Sequence, residues 1–387
     1  MKRLVSVLVA VFFMTGMVVA QNTSTTTQTG DGNNATVDQQ GSDHESIIEQ
    51  QAHSSGDLDD GNTVVVNQNS GINNFSDVLQ GNAPALNAET YVDQVGSNND
   101  FSIKQAGGSN WADIDQEGNG NIIGNYKNYS GRAVQINGNV IGQADKNFLE
   151  VDQLGDNNKL GVWQDHYADA KIEQNGNLNE TNVKQTSAKY GELNEADVEI
   201  NGNENITEVY QEGDGNDANM QVGHPSYVSS ENNITITQDG NNNKATYSHQ
   251  LGDENEVVID QFGNSNESEI TLENGSENVV SYDVDGTGNY ADFYIDADWT
   301  DHSNENNLNI IQEGNSNLAV GKIHGDLNDV DIEQDGNNNM VGSDWWYSDG
   351  VNIMGSNNTV DIQQMNNGNS SLNSINGNGN TITVTQQ

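Results

Sequence analysis

The chain has no cysteine, two prolines in 387 residues, and only 12 basic residues against 58 acidic ones. Without cysteine, disulfide frameworks, thiol catalysis and cysteine-ligated zinc sites are excluded. With proline confined to Pro84 and Pro225, almost every backbone N–H is free to join a hydrogen-bond ladder. The shortage of lysine and arginine leaves a formal net charge of -46, a surface that repels nucleic acid and anionic lipid. Long apolar runs are missing after residue 20, so no later segment reads as a transmembrane helix and the mature chain is expected not to insert in a membrane.

The first twenty residues read as a secretory signal peptide. Lys2 and Arg3 precede an apolar run from Leu4 to Val19, and Val18 and Ala20 are small residues ahead of a cleavage point at Gln21. Removing Lys2 and Arg3 with the signal leaves 10 basic residues against 58 acidic ones, a net charge of −48. Residues 21–27 form a short polar N-terminal segment, and residues 28–387 hold a single repeat domain. Low hydrophobicity with high charge would ordinarily mean disorder, but a disordered chain has no need of a strict register.

A strict register is what the sequence has. The segment Gln-x-Gly-x-x-Asn occurs twelve times, where chance gives on the order of one or fewer. The first six copies are Gln28-Gly30-Asn33, Gln94-Gly96-Asn99, Gln105-Gly107-Asn110, Gln116-Gly118-Asn121, Gln153-Gly155-Asn158 and Gln174-Gly176-Asn179. The others are Gln211-Gly213-Asn216, Gln238-Gly240-Asn243, Gln250-Gly252-Asn255, Gln261-Gly263-Asn266, Gln312-Gly314-Asn317 and Gln334-Gly336-Asn339. Glutamines recur at steps of eleven, as in Gln28, Gln39 and Gln50. Between them lie alternating segments such as Ala112-x-Ile114-x-Gln116 and Val257-x-Ile259-x-Gln261, the signature of short half-buried strands. Gly at +2 and Asn at +5 are expected to build the turn, because both tolerate a left-handed backbone.

An eleven-residue unit is then a strand plus a turn, and two units close one coil of 22. Toward the C-terminus Gln312, Gln334 and Gln364 alternate with Ile323, Ile353 and Ile375, as two distinct faces of a flat coil would. The expected fold is all-β: one elongated β-solenoid of roughly 15 two-strand coils, ~70 Å long at the spacing of stacked strands. Inward glutamines and asparagines should stack on their equivalents one coil on, so that each amide satisfies the next. Insertions at 52–62, 81–89, 187–194, 223–231, 297–306 and 343–351 are expected to lengthen turns, and the stretch 122–148 has no readable phase. Trp345-Trp346-Tyr347 lies in one insertion and is expected to fold back on the coil.

These residues resemble the curlin repeat, Gln-x-Gly-x-x-Asn-x-Ala-x-x-x-Gln, of curli amyloid subunits. Gln28-Gly30-Asn33-Ala35-Gln39 and Gln105-Gly107-Asn110-Ala112-Gln116 match throughout; Gln174-Gly176-Asn179-Gln185 and Gln250-Gly252-Asn255-Gln261 match except at the alanine. The resemblance implies an extracellular fibre subunit of a biofilm matrix, self-associating, exported through a dedicated pore, and working with a nucleator or other curlin-repeat subunits. The chain departs from the pattern in its acidity, its insertions, and the replacement of glutamine by Ile200, Val284 and Glu273. No cap is evident at Ala35–Gln39 or at Thr381–Gln387, so head-to-tail stacking is expected. The other reading is a monomeric, cation-dependent adhesin on the same scaffold.

No catalytic constellation, cofactor site or dedicated metal site is expected. Asp283-x-Asp285-Gly286 faintly resembles an EF-hand start, but Tyr294 stands where a closing glutamate belongs. Asp57, Asp59 and Asp60 read as solvated charge, His44 as a plain substitution for a repeat asparagine, and the acidic surface as a non-specific gatherer of divalent cations. Asp93 and Asp115, two units apart, should sit side by side on one face.

Overall fold

Each alternating segment forms a parallel strand. The computed structural model of the chain describes residues 21–52, 61–85, 87–106, 109–124, 133–136, 147–187, 192–224, 229–295, 303–342 and 350–387. All regular structure among them is β, with no helix. The expected signal peptide, the acidic stretch Asp57–Asp60 and Trp345-Trp346-Tyr347 lie outside the described residues.

Consecutive strands alternate between two parallel sheets. The first sheet runs from Thr23–Thr29 to Thr381–Gln386 and the second from Asn34–Ser42 to Asn373–Asn376. Register is kept from rung to rung: Gln28 lies beside Gln50, Gln94 beside Gln116, and Gln312 beside Gln334. Parallel pairing of this kind follows from the chain's winding, since each strand meets its equivalent one coil later.

The coil count is slightly lower than the fifteen expected. The path along the first sheet holds fifteen strands, the last with no second-sheet strand after it, so fourteen coils close. Insertions divide some rungs into two strands, as with Asp217–Val222 and Ser229–Ser230 against Asn194–Asn203, so fewer than fourteen turns are continuous. Ile122–Ile123 and Ala133–Ile136 share one rung, both pairing with Asp100–Ala106 and Lys159–Asp165. Met340–Val341 and Val351–Met354 share another against Leu318–His324. The insertion near 343–351 therefore interrupts a strand and does not lengthen a turn as expected. The unphased stretch resolves in the same way: Gln135 takes the register position between Gln105 and Gln164.

A second correction concerns residues 21–27. Thr23–Thr29 is already the first strand, with Ser24, Thr26 and Gln28 opposite Ser46, Ile48 and Gln50. Threonine has high strand propensity and the same period of two, which a hydrophobicity-based boundary passes over.

The core is a thin double layer. Each strand commonly sends two apolar side chains and one terminal polar or apolar side chain inward, as Ala112, Ile114 and Gln116 or Leu149, Val151 and Gln153, all buried. Each buried valine, leucine or isoleucine contributes about 1.5–3 kcal/mol relative to exposure. So narrow a core cannot exclude polar backbone and amide groups, and their hydrogen bonding becomes the deciding constraint.

Candidate functional site: the amide columns and the acidic face

Two glutamine columns run along the solenoid, one per sheet. In the first, Gln28 donates through Nε2 to Gln50 Oε1 at 2.8 Å, Gln50 to Gln80, and Gln80 to Gln105. Beyond Gln164 and Gln185, Gln211 donates to Gln238 and Gln238 to Gln261. Then Gln312, Gln334, Gln364 and Gln386 continue in the same direction. The second column links Gln39, Gln68, Gln94, Gln116, Gln153 and Gln174. The other Nε2 proton reaches a backbone carbonyl, as from Gln94 to Phe75 and from Gln211 to Glu195. Each interior amide is thereby satisfied without water, which removes the ~1–3 kcal/mol cost of an unpaired buried group.

The columns end differently. After Gln174 the second sheet places Ile200, Val222, His249, Leu272, Ile295, Ile323, Ile353 and Ile375 at the equivalent position. The alternation expected near the C-terminus is therefore a property of the second sheet's later half alone. The first sheet thus begins and ends on glutamine, Gln28 and Gln386, whereas the second begins on Gln39 and ends on Ile375.

Gln250 is misplaced by the motif. His249 fills the inward position beside Val222 and Leu272, while Gln250 lies just past the strand and donates to Glu273 Oε1 at 3.1 Å. Ala245, Tyr247 and His249 set the inward parity, and the turn to Gly252 carries one extra residue. Glu273 is displaced in the same way, with Leu272 inward. Gly107 lies outside the described residues.

The asparagines form two further columns, one at each turn. In one, the backbone N–H of Asn121 donates to Asn99 Oδ1, that of Asn158 to Asn121, and that of Asn179 to Asn158. It continues to Asn255 by way of Asn205 and Asn232. The other begins with Asn33 beside Asn62 and later links Asn216, Asn243, Asn266, Asn289, Asn317 and Asn339. Asn110 stands at the same turn position, its Nδ2 donating to the Ala106 carbonyl at 3.1 Å, but its Oδ1 has no partner among the described residues. The side-chain Nδ2 also reaches a glycine carbonyl on an adjoining coil, as from Asn158 to Gly176. His44 takes an asparagine position as expected, its Nδ1 accepting from the Asn74 N–H at 3.2 Å.

The asparagine's reason differs from the one expected. The left-handed residue is the one before it: Asn98, Asn157, Leu178, Ser265 and Asn338 have φ between 54° and 60°. Asn at +5 is selected by its amide, not its backbone. Gly at +2 is selected by both φ and space. Gly263 has φ +107°, and a Cβ there would stand 2.0 Å from the Gly286 carbonyl oxygen. The same holds for Gly30, Gly96, Gly118, Gly155, Gly176, Gly213, Gly240, Gly252, Gly314 and Gly336 in the sign of φ.

A family profile for the curlin associated repeat matches residues 21–51, 96–124 and 304–341. Those three stretches match the curlin associated repeat. No curated protein matches it. The matched stretches amount to roughly a quarter of the chain, and the columns extend the curlin-repeat geometry well beyond them.

On the outer faces of the coils, carboxylates line up. Asp93, Asp115 and Asp152 occupy adjacent rungs of the second sheet, as expected for the first two. Burial, with Asp152, Asp113 and Asp93 nearby, raises the Asp115 carboxyl to about 6. Burial with Glu195, Glu150 and Asp197 does the same for Asp169, also to about 6. Asp292 reaches about 6 through burial and Glu269, even though the Tyr290 hydroxyl donates to it. Among the described residues no group of three or more His, Asp or Glu has the geometry of a metal site. Asp283, Asp285 and Gly286 lie in a regular rung beside Asp260, Phe262 and Gly263.

Proposed function

We propose that this curlin-repeat solenoid is the structural subunit of an extracellular, curli-like amyloid fibre that grows by head-to-tail self-association in a biofilm matrix. The observation that carries the reading is the match between the two ends of the first-sheet glutamine column, which is broken at Val284 but holds glutamine at both outermost strands. Its two outermost strands, Thr23–Thr29 and Thr381–Gln386, are uncharged, each pairs on one side only among the described residues, and both hold glutamine in the same register. A second copy laid on either strand would find a rung like those inside the molecule, and such an addition does not close on itself. Export through a curli-type pore and contact with a nucleator or other curlin-repeat subunits belong to the same proposal, as does secretion with loss of residues 1–20.

The test is seeded growth. Purified chain should gain thioflavin fluorescence after a lag that preformed fibres abolish, and deletion of residues 376–387 should stop growth. A chain that stays monomeric at all concentrations, seeded or not, would instead be the cation-dependent adhesin.

A further inference from the structure

Three neighbouring strands of the second sheet, Glu89–Ser97, Trp111–Asn119 and Phe148–Leu154, combine acidic side chains with stacked aromatic rings. They carry seven carboxylates and no basic residue. Along one margin the aromatic rings stack from rung to rung. Trp111 and Phe148 lie 4.3 Å apart at 10°, and Tyr91 tilts against Trp111 at 6.5 Å. Along the other margin Val95 and Leu154 are 36% and 49% exposed. Between the margins lie Asp93, Asp113, Asp115, Glu150 and Asp152. Each margin opens into a concavity: one holds Glu89, Ser109, Trp111 and Phe148, the other Val95, Asp115, Asp152 and Leu154.

We propose that this face docks a lysine- or arginine-rich amphipathic segment of a partner protein. Charge complementarity selects the occupant. Among the described residues, the ion pair to this face comes from Lys171 on the adjoining strand, 4.0 Å from Glu150, and the other carboxylates of the face have no ion pair there. A lysine or arginine lays its aliphatic stem on apolar surface while its charged head reaches a carboxylate, which suits an acidic floor between apolar margins. The partly exposed Trp111 and Phe148 supply the packing energy that a purely ionic contact lacks. A second copy of this chain brings the same negative charge and is repelled. The docking face lies on the side of the solenoid and not on its outermost strands, so it is independent of fibre growth.

The experiment compares two fluorescein-labelled peptides of equal charge by anisotropy. One interleaves lysines with phenylalanines, and the other has glycine in place of each phenylalanine. The phenylalanine peptide should bind at least about tenfold tighter, and W111A/F148A should erase that advantage. D93N/D152N should weaken both peptides about tenfold and flatten their salt dependence. D329N/D331N, on the first sheet, should change neither. Equal affinity for the two peptides overturns the proposal. So does an effect of D329N/D331N as large as that of D93N/D152N, which would mean only a general attraction to a polyanion. D93N/D152N removes no packing atom, so it decides the question even where W111A/F148A loses its fold by circular dichroism.

Discussion

At Val284 the first-sheet glutamine column is interrupted, and the Tyr282 hydroxyl bridges the gap. Its oxygen donates to Gln312 Oε1 at 2.8 Å, taking the place of the amide that a glutamine at 284 would offer. On the other side of the gap, Gln261 turns its Nε2 to the Lys244 carbonyl and the Ser268 hydroxyl. Tyr282→Phe deletes one buried oxygen and leaves the Gln312 acceptor without that donor, at a cost of about 1–3 kcal/mol. Tyr247 supplies the control. It is equally buried, but its hydroxyl has no partner among the described residues. Tyr247→Phe should therefore be neutral or stabilise by up to ~2 kcal/mol, because it removes an unsatisfied polar group. The same chemical deletion is thus expected to have opposite signs 35 residues apart. A third variant, Y282I/V284Q, copies the Ile259–Gln261 and Ile310–Gln312 rungs on either side and should be at least as stable as the parent.

Hydrogen exchange on the strands Val279–Thr287 and Asn307–Asn315 is the suitable assay, since stacked repeats open locally and a single global midpoint averages over them. Protection should fall about tenfold for each ~1.4 kcal/mol lost. If Y282F and Y247F move protection in the same direction by the same amount, the hydroxyl bridge does not stabilise the column and the reasoning fails.

Gly263→Ala should cost at least about 2 kcal/mol, since it combines φ strain with a clash against the Gly286 carbonyl. Gly368→Ala, at φ +75° with nothing within 4 Å, should show the strain alone, about 1–2 kcal/mol; thermal melts of the two variants check the difference. Acid acts in two opposed ways. Asp115, Asp169 and Asp292 are held near 6, above the ordinary carboxylate value, so their ionised forms weaken the fold above pH 6. That cost is relieved as pH falls toward 4, by less than about 1 kcal/mol each after solvent screening. His249 is lowered to about 4 by burial, so the stability it leaves intact above 6.5 is lost as pH falls from 6.5 to 4, by up to ~3 kcal/mol. Urea midpoints at pH 7 and 5 should show His249→Leu gaining stability on acidification where the parent gains less or loses. Fibre growth, on the proposed function, should be slow at low ionic strength and accelerate with salt or calcium, because screening shortens the reach of like charges; growth rates indifferent to both would count against it.

The period of the repeat was legible because geometry enforces it at every coil. An inward side chain must recur every second residue and meet its equivalent one coil later, so Ala112-x-Ile114-x-Gln116 reads as a strand from spacing alone. What was not legible follows from features that period cannot carry. The turn before Gly252 has one extra residue, and only the inward parity of Tyr247 and His249 shows that Gln250 has left the column. The left-handed position is occupied by Leu178, Ser265 and Asn338 alike, so composition gives it no mark. Insertions within a strand look like insertions in a turn when only the distance between repeats is counted, as at 343–351. Thr23–Thr29 lacked apolar residues and so lacked the signal that marks a strand.

The divergence of the two sheets has a physical reading. A buried glutamine is costly unless its neighbours on both sides are in register, so an amide column penalises any slip of a strand by one residue. Isoleucine in the same place is cheaper to bury but indifferent to slips of two. The first sheet keeps its amides for nearly its whole length, while the second abandons them after Gln174 in favour of Ile200 and its successors. Because the chain joins the two sheets at every turn, a coil pinned on one face is pinned on the other, and one amide column per coil is enough. The asparagine columns at the turns, which continue to Asn369 and Asn380, hold that coupling where the second sheet has turned apolar. Substitutions at the second-sheet position should therefore be tolerated in the later coils so long as they stay apolar, whereas the first-sheet glutamines should tolerate replacement only where, as at Val284, a neighbour supplies the missing donor.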